Sequence, residues 1–335
     1  MASPALGRPP VLDLLADGDW HSGVALASTL GLSRAAVWKQ IGVLRMLGLS
    51  VATDRRHGYR LGQPLELLAE TRIRALLSPE TQAVLDSLEI PAIISSTNEH
   101  LAGQVAPSPG RMRVLLAEYQ SGGRGRRGRR WLSPFAHGIC LSVAWTFETA
   151  PRDLPLLSLV AGVSVMEALD SLKIGAGQLK WPNDIVAAGG KLGGILVEVS
   201  GEPGGPLRAV IGVGLNVRPL TTIARDIDLE GGVLPAVALD DLADGRRIGR
   251  NQVTAALLDA LHAGLQAFTR GSRIFLESWR RYDSLAGKPV LVSAGQQSVA
   301  GIARGIADDG SLLVETEGGI VPVVAGDVTL RANRS

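Results

Sequence analysis

Gly123-Arg124-Gly125-Arg126-Arg127-Gly128-Arg129-Arg130-Trp131 decides between two folds. Its letters satisfy Gly-x-Gly-x-x-Gly, the fingerprint of a doubly wound dinucleotide-binding sheet. That fold needs a strand before the first glycine, a helix opening after it and an acidic ribose ligand about 20 residues on. Val114-Leu115-Leu116-Ala117 supplies an apolar strand, but Trp131-Leu132-Ser133-Pro134 stands where the helix has to begin. The dinucleotide reading is therefore disfavoured. What remains is five arginines on a glycine frame. Glycine lets a backbone wrap closely around a ligand, and each guanidinium is permanently charged and forks onto phosphate or carboxylate. Taken alone, such a loop also fits a solvated tail or a nucleic-acid patch.

Outward from the loop the chain changes grammar twice. Between Pro10 and Leu61 the pattern is three helices and two short strands. Gly31 interrupts a helical stretch from Val24 to Leu30, and Ser33 can cap the next helix, whose Val37, Ile41, Leu44 and Leu47 recur at helical spacing. Arg34, Ala35, Trp38 and Lys39 fall on the other side of that helix, as in a helix-turn-helix whose second helix enters the major groove. Val51-Ala52-Thr53 and Tyr59-Arg60-Leu61, joined across Arg55-Arg56-His57-Gly58, read as a wing able to touch phosphate. A small helical packing unit with no DNA role is the alternative. Residues 1–66 hold seven Lys or Arg against five Asp or Glu, so phosphate neutralisation is modest per monomer and tight operator binding needs a dimer.

Residues 67–88 read as a helical connector, with Ile73, Leu76, Leu77, Val84, Leu85 and Leu88 at roughly helical spacing. A mixed α/β domain is expected over 89–284. Its strands fall at Val114–Ala117, Ile139–Trp145, Gly194–Val199 and Val210–Val217, and its helices at Leu156–Leu169 and Val253–Phe268. Arg218 to Arg250 has no clear period and reads as loop with some helix. From Gly287 short strands take over, with Asp309-Gly310 as a hairpin turn, so 285–335 reads as a small β-barrel. The whole is an α+β chain of three domains, and 335 residues with 46% apolar content suffice for that.

Global composition narrows the class further. One cysteine, Cys140 between Ile139 and Leu141, excludes a disulfide scaffold and reads as a buried core thiol. The start lacks a basic region followed by an apolar core, and no run approaches the ~20 apolar residues that span a bilayer, so a cytoplasmic location without membrane contact is expected. A net charge of +2 is too small to argue for nucleic acid by itself.

Read together, Ser96-Thr97-Asn98, Ala117-Glu118-Tyr119-Gln120, the arginine loop, Lys180-Trp181-Pro182-Asn183-Asp184, Lys191-Leu192-Gly193-Gly194-Ile195-Leu196-Val197-Glu198 and Gly212-Val213-Gly214-Leu215-Asn216-Val217 resemble, in order, the motifs of bacterial biotin protein ligase. The segment from Ser22-Gly23 to Tyr59-Arg60-Leu61 looks like the DNA-binding domain of the bifunctional version that represses the biotin operon. The resemblance implies a winged helix-turn-helix, a ligase-type catalytic domain and an SH3-like C-terminal barrel. It implies that biotin and ATP are joined as biotinyl-5′-AMP, with Mg²⁺, and that biotin then passes to a lysine of the biotin carboxyl carrier protein of acetyl-CoA carboxylase. The same adenylate would be the corepressor that favours a homodimer on operator DNA.

Site residues carry over position by position. The resemblance sets Arg124 and Arg126 against the biotin carboxylate and α-phosphate, within a glycine frame of Gly123 and Gly125. Arg127, Arg129 and Arg130 are left to a dimer partner, nucleic acid or solvent. Lys191, with Gly193 beside it, would reach the reacting centre. Asn183 and Asp184 suit Mg²⁺, Asn216 could join the metal-triphosphate cluster, and the alternative for Asn183-Asp184 is an Asx-type turn. Ser96, Thr97, Asn98 and Gln120 could read the ureido ring, although Ser-Thr-Asn before a helix is also an ordinary cap. Trp131 either packs on the thiophane ring or fills core. For DNA, Ser22, Ser33, Arg34, Ala35, Trp38, Lys39, Arg55 and Arg56 are the expected contacts. An empty loop of this composition should be mobile, since ordering seven residues costs roughly 7–14 kcal/mol. Two other readings stay open: a regulator that senses a small molecule without ligation, and a ligase whose N-terminal unit has no operator. A lipoate-type ligase would not be expected to carry this loop.

Overall fold

The computed structural model describes residues 7–175, 177–201, 205–219, 234–271, 273–294 and 297–330. Its N-terminal unit holds α1 (Pro10–Leu15), α2 (Gly23–Leu30), α3 (Arg34–Met46), β1 (Val51–Asp54) and β2 (Gly58–Leu61). Ser22 and Ser33 each accept a backbone N–H, from Ala25 and Ala36, and so start α2 and α3. Val37, Ile41 and Leu44 are buried against Val11, Leu12, Leu15 and Leu26. The strands pair antiparallel, Val51 opposite Leu61 and Asp54 opposite Gly58. Gly58 has a φ of 98°, and a Cβ there would sit 2.1 Å from the His21 carbonyl oxygen, so only glycine closes this wing against α2.

The expected connector is not wholly helical. α4 (Glu70–Leu76) and α5 (Pro79–Val84) form, but Leu85–Glu89 is β3, which pairs in parallel with β5 (Met112–Ala117). Leu85 and Leu88 are buried in the central core and Asp86 and Glu89 are exposed, a spacing of three that reads as helical and that the strand accommodates by a bulge between Leu85 and Ser87.

β3 is the edge of a seven-stranded sheet in the order β3-β5-β7-β11-β10-β9-β8. The other strands are β7 (Gly138–Phe147), β8 (Gln178–Lys180), β9 (Asp184–Ala187), β10 (Gly190–Gly201) and β11 (Leu207–Asn216). The two central strands show why one face is core and the other is a site. Ile139, Leu141, Val143, Trp145 and Phe147 of β7, with Ala209, Ile211, Val213 and Leu215 of β11, point into one apolar cluster. That cluster also contains α7 (Leu157–Ser171) and α8 (Arg250–Phe268). Strand alternation then presents Cys140 and Ser142, and Gly212, Gly214 and Asn216, to the opposite face. These side chains are small, so that face is left open rather than filled.

Leu154–Ser171 is apolar and long enough to cross a membrane by composition, but two-thirds of it is buried in this core. α9 (Arg273–Tyr282) leads to the C-terminal sheet, β15-β14-β13-β12-β16. Its strands are β12 (Pro289–Ala294), β13 (Gln297–Ile306), β14 (Leu312–Thr316), β15 (Gly319–Val323) and β16 (Asp327–Leu330). Asp309-Gly310 makes the expected turn between β13 and β14, with Gly310 at a φ of 84°.

Candidate active site

On the open face lies a cavity of about 580 Å³. One end is polar and uncharged. α6 (Thr97–Gly103) opens there, with Ser96 as its N-cap accepting from Glu99 N, so the cap reading of Ser96 holds. β6 (Tyr119–Gln120) pairs with β4 (Ile93–Ile94) and brings Gln120 across, where its Oε1 accepts from Thr97 N at 2.8 Å and Thr97 Oγ1 at 3.1 Å. Ser142 Oγ stands 2.7 Å from Thr97 Oγ1 and 2.6 Å from Asn98 Oδ1, while Asn98 Nδ2 donates to Glu198 Oε2 at 2.9 Å. Thr97 and Asn98 are each only 4% exposed. The motifs do not include Ser142, which lies on the same face of β7 as Cys140, opposite Gly212 of β11.

Glycines clear the floor. A Cβ at Gly212 would meet Asn98 Oδ1 at 2.4 Å, and one at Gly214 would meet the Trp131 ring at 2.5 Å. Trp131 thus lies over β11, and its indole N–H is buried without a hydrogen-bond partner among the described residues. Cys140 also lines the cavity, and burial pushes its thiol up to about 11, which suits a neutral wall rather than a nucleophile.

The other end is cationic. Arg124, Arg126, Arg129, Arg130, Lys180 and Lys191 line it, against Asp184 and Asp327. Lys191 Nζ is 2.7 Å from Asp184 Oδ1, and Lys180 Nζ is 4.0 Å from Asp184 Oδ2. Burial, with Lys191 nearby, lowers the Lys180 ammonium despite Asp184. Burial and the neighbouring Arg127 likewise lower the Arg126 guanidinium, which donates to Asn183 Oδ1 at 3.4 Å. Asn183 Nδ2 donates to the Ile195 carbonyl at 2.7 Å. The Lys191 backbone is gripped on both sides, its N–H by the Pro235 carbonyl and its carbonyl by the Val237 N–H. Asn216 donates to that same Lys191 carbonyl and to the Val237 carbonyl, so it supports the lysine from below.

The arginine loop is a hairpin over this end. Gly125 N–H donates to the Arg129 carbonyl at 2.7 Å and Trp131 N–H to the Gly123 carbonyl at 2.9 Å. Arg127 and Arg129, left to a partner or solvent by the sequence, instead bind one carboxylate oxygen of Asp327 on β16, at 3.0 and 2.7 Å. The C-terminal sheet therefore forms part of the cavity wall, a role for Asp327 that the sequence did not disclose. Arg124 reaches toward Glu99 at 3.9 Å and is 45% exposed. Gly123 and Gly193 stand behind the wall rather than on it, each where a Cβ would strike backbone at 2.5 Å. Residues 220–233, part of the Arg218–Arg250 stretch that has no clear period and in which no adenine-stacking tryptophan can be placed, lie outside the described residues.

In the N-terminal unit Arg34, Ala35, Lys39 and Trp38 are exposed on α3, Trp38 at 64%, and Arg55 and Arg56 are exposed at the wing tip. Ser22 and Ser33 are exposed too, but their hydroxyl oxygens serve as helix caps. Trp20 carries the Arg60 guanidinium 4.9 Å above its ring, which stiffens the wing base.

Residues 90–216 match the Biotin/lipoate A/B protein ligase family, 286–331 the Biotin protein ligase C terminal domain and 11–60 an HTH domain. The Bifunctional ligase/repressor BirA of Salmonella typhimurium is 37% identical over 96% of this chain and 97% of its own length. That of Escherichia coli is 36% identical over 96% of each. Among solved structures, a biotin protein ligase from Aquifex aeolicus in complex with biotin and ATP superposes with a TM-score of 0.58 at 28% identity, covering 74% of this chain and 98% of that one. With the winged unit, the open sheet face and the C-terminal sheet all present, the chain belongs to the biotin protein ligase family in its bifunctional ligase/repressor form.

Proposed function

We propose that the chain is an ATP-dependent biotin protein ligase and a biotin-responsive repressor. The observation that carries this reading is one cavity with an uncharged hydrogen-bonding end and a cationic end. Such a shape suits a neutral ureido bicycle whose tail carboxylate has to meet a triphosphate. Thr97, Asn98 and Gln120 face the ring, Trp131 covers the apolar bicycle, and Arg124, Arg126 and Lys191 gather the anions.

The chemistry has two steps. A biotin carboxylate oxygen attacks the α-phosphorus of ATP, and pyrophosphate leaves with the bonding pair. The resulting biotinyl-5′-AMP is then attacked at its acyl carbon by an acceptor lysine amine; the amide forms, AMP leaves and the nitrogen gives up a proton. Two anions must approach in the first step, so fixed cations in a site shielded from water supply most of the acceleration. Lys191 and Arg126 are placed for that, because their own partners, Asp184 and Asn183, hold them at the phosphate end.

No group of three His, Cys, Asp or Glu able to hold a metal occurs among the described residues. Asp184 and Asn183 Oδ1 nevertheless fit Mg²⁺, which takes few protein oxygens and keeps waters while bridging phosphates. Bound there with ATP, the ion would add charge neutralisation. Asn216, committed to the Lys191 and Val237 carbonyls, is assigned to positioning instead.

The acceptor is the biotin carboxyl carrier protein, and the repressor function uses α3 and the wing on operator DNA. Biotinyl-5′-AMP would stabilise a homodimer that presents two such units; a near-complete shift requires about 5.5 kcal/mol of preference for the dimer-competent form. The test is incubation with Mg-ATP, biotin and purified carrier protein, followed by mass spectrometry of the carrier and by operator retardation. Biotin on one carrier lysine and operator retention only with biotin plus ATP are expected. Retention without any modified carrier would leave a ligand-sensing regulator.

A further inference from the structure

We infer that the buried pair Glu118–Arg250 is a positioning device that sets the biotin end of the cavity; the inference rests on the biotin reading of that end. Neither residue lines the cavity. Both side chains are fully buried, and Arg250 Nη2 lies 2.7 Å from Glu118 Oε2.

Their remaining contacts tie the start of β7 to residues 66–68 of the connector and to Ala136 in the return from the arginine loop. Arg250 Nε and Nη2 donate to the Gly138 carbonyl at 3.1 and 2.8 Å, fixing the first residue of β7 two residues before Cys140. Its Nη1 donates to the Glu66 carbonyl at 2.7 Å. Glu118 Oε1 accepts from Leu68 N at 2.7 Å, and the Glu118 carbonyl accepts from Ala136 N at 3.1 Å, in the return from the arginine loop. Gln120, which holds Thr97, is two residues further along the same strand path. The apolar contacts run the same way: Ala92, Phe135 and Ala136, beside β4 and the loop's return, share the core of the N-terminal unit. Glu118 also has Arg8 of that unit at 3.8 Å.

A buried ion pair is a weak source of stability, since apolar residues of like volume often replace it without loss. Here the Arg250 fork grips the Gly138 carbonyl through Nε and Nη2 while its charge sits against Glu118, two residues before Gln120, and so fixes where Gly138 and Gln120 stand relative to one another. The ATP end has holds of its own in Asp184, Asn183 and the backbone grip on Lys191, and meets Gly138 only through its strand partner Asn216.

The test compares full-length protein with a Glu118→Leu/Arg250→Met double variant and with Glu118→Gln, which retains an acceptor for Leu68 N. Direct biotin binding, followed by tryptophan fluorescence, is measured beside KM for biotin, KM for ATP and thermal midpoint. The expected result is biotin affinity and KM weakened roughly tenfold in the double variant and less in Glu118→Gln, with KM for ATP and kcat within about twofold. Unchanged biotin affinity in a folded variant overturns the inference. So does a joint decline of both KM values, kcat and thermal midpoint, which marks a structural role alone. If the double variant does not fold, the same split in Glu118→Gln decides. Wild-type protein that binds no biotin would instead remove the biotin reading on which the inference stands.

Discussion

The wing and the arginine loop are both hairpins rich in arginine, yet they hold their charges in opposite ways. At the wing Arg55 and Arg56 are exposed with no side-chain partner among the described residues. In the loop Arg126 is desolvated and bonded to Asn183, and Arg127 and Arg129 share Asp327. Exposed cations attract phosphate through a screened field, so their effect is small per residue and falls with salt. Partly buried cations placed beforehand act strongly on charge that develops between them. The same residue type thus serves recognition of a long polyanion in one place and chemistry on a small one in the other.

Lys191→Ala should have the largest effect. It removes the best-positioned cation and leaves Asp184 facing the phosphates, so adenylate formation should fall by roughly 10²- to 10³-fold with operator contacts untouched. Single-turnover formation of biotinyl-5′-AMP measures it, and a loss below tenfold would mean that the loop arginines alone carry the charge. Gly214→Ala comes next. The added methyl drives Trp131 from its place over β11, and biotin binding should weaken by roughly 10²-fold, read by equilibrium binding without ATP.

Replacing both Arg55 and Arg56 by alanine sharpens the contrast from the other side. Each lost phosphate contact should flatten the log–log salt dependence of operator binding by about 0.9, and ligase activity should not change. A ligase defect in that variant would break the separation of the two hairpins. Asp327→Asn gives a smaller change, because the side chains in its pairs are 36–64% exposed and such bonds are individually weak. Adenylate should leave a few-fold faster, about two- to tenfold, as measured by chase with unlabelled ligand. Smallest is Gly42→Ala in α3. A Cβ there meets open space, so the recognition helix should gain about 1 kcal/mol, seen as greater protection of its amides from hydrogen exchange with operator affinity unchanged.

What was legible in the sequence follows from the range of the forces involved. Caps and periodic stripes are local, so α2, α3, α7 and α8 emerged within a few residues of their bounds. β3 escapes a sequence reading because Leu85 and Leu88, three apart, suit a helix, and only a bulge between Leu85 and Ser87 in the pairing with β5 lets a strand bury both. The polar wall of Thr97, Asn98 and Gln120 was visible as motifs, whereas Ser142 required the sheet register that sets it beneath them. Asp327 was out of reach, because its two arginine partners are about 200 positions away and single charges on a short strand carry no signature. Gly123 and Gly193, which the motifs set among the ligand contacts, do not line the cavity, and a Cβ at either would strike backbone at 2.5 Å, a close approach that no motif discloses.

The most direct measurement is pyrophosphate release by the purified chain with Mg-ATP in three parallel reactions, with biotin, with lipoate and with no acid. Release with biotin alone is the expected result, since the uncharged end offers Thr97, Asn98 and Gln120 to a ureido ring that lipoate lacks. Equal release with lipoate, or release that needs no acid, would contradict a cavity built to join biotin to ATP.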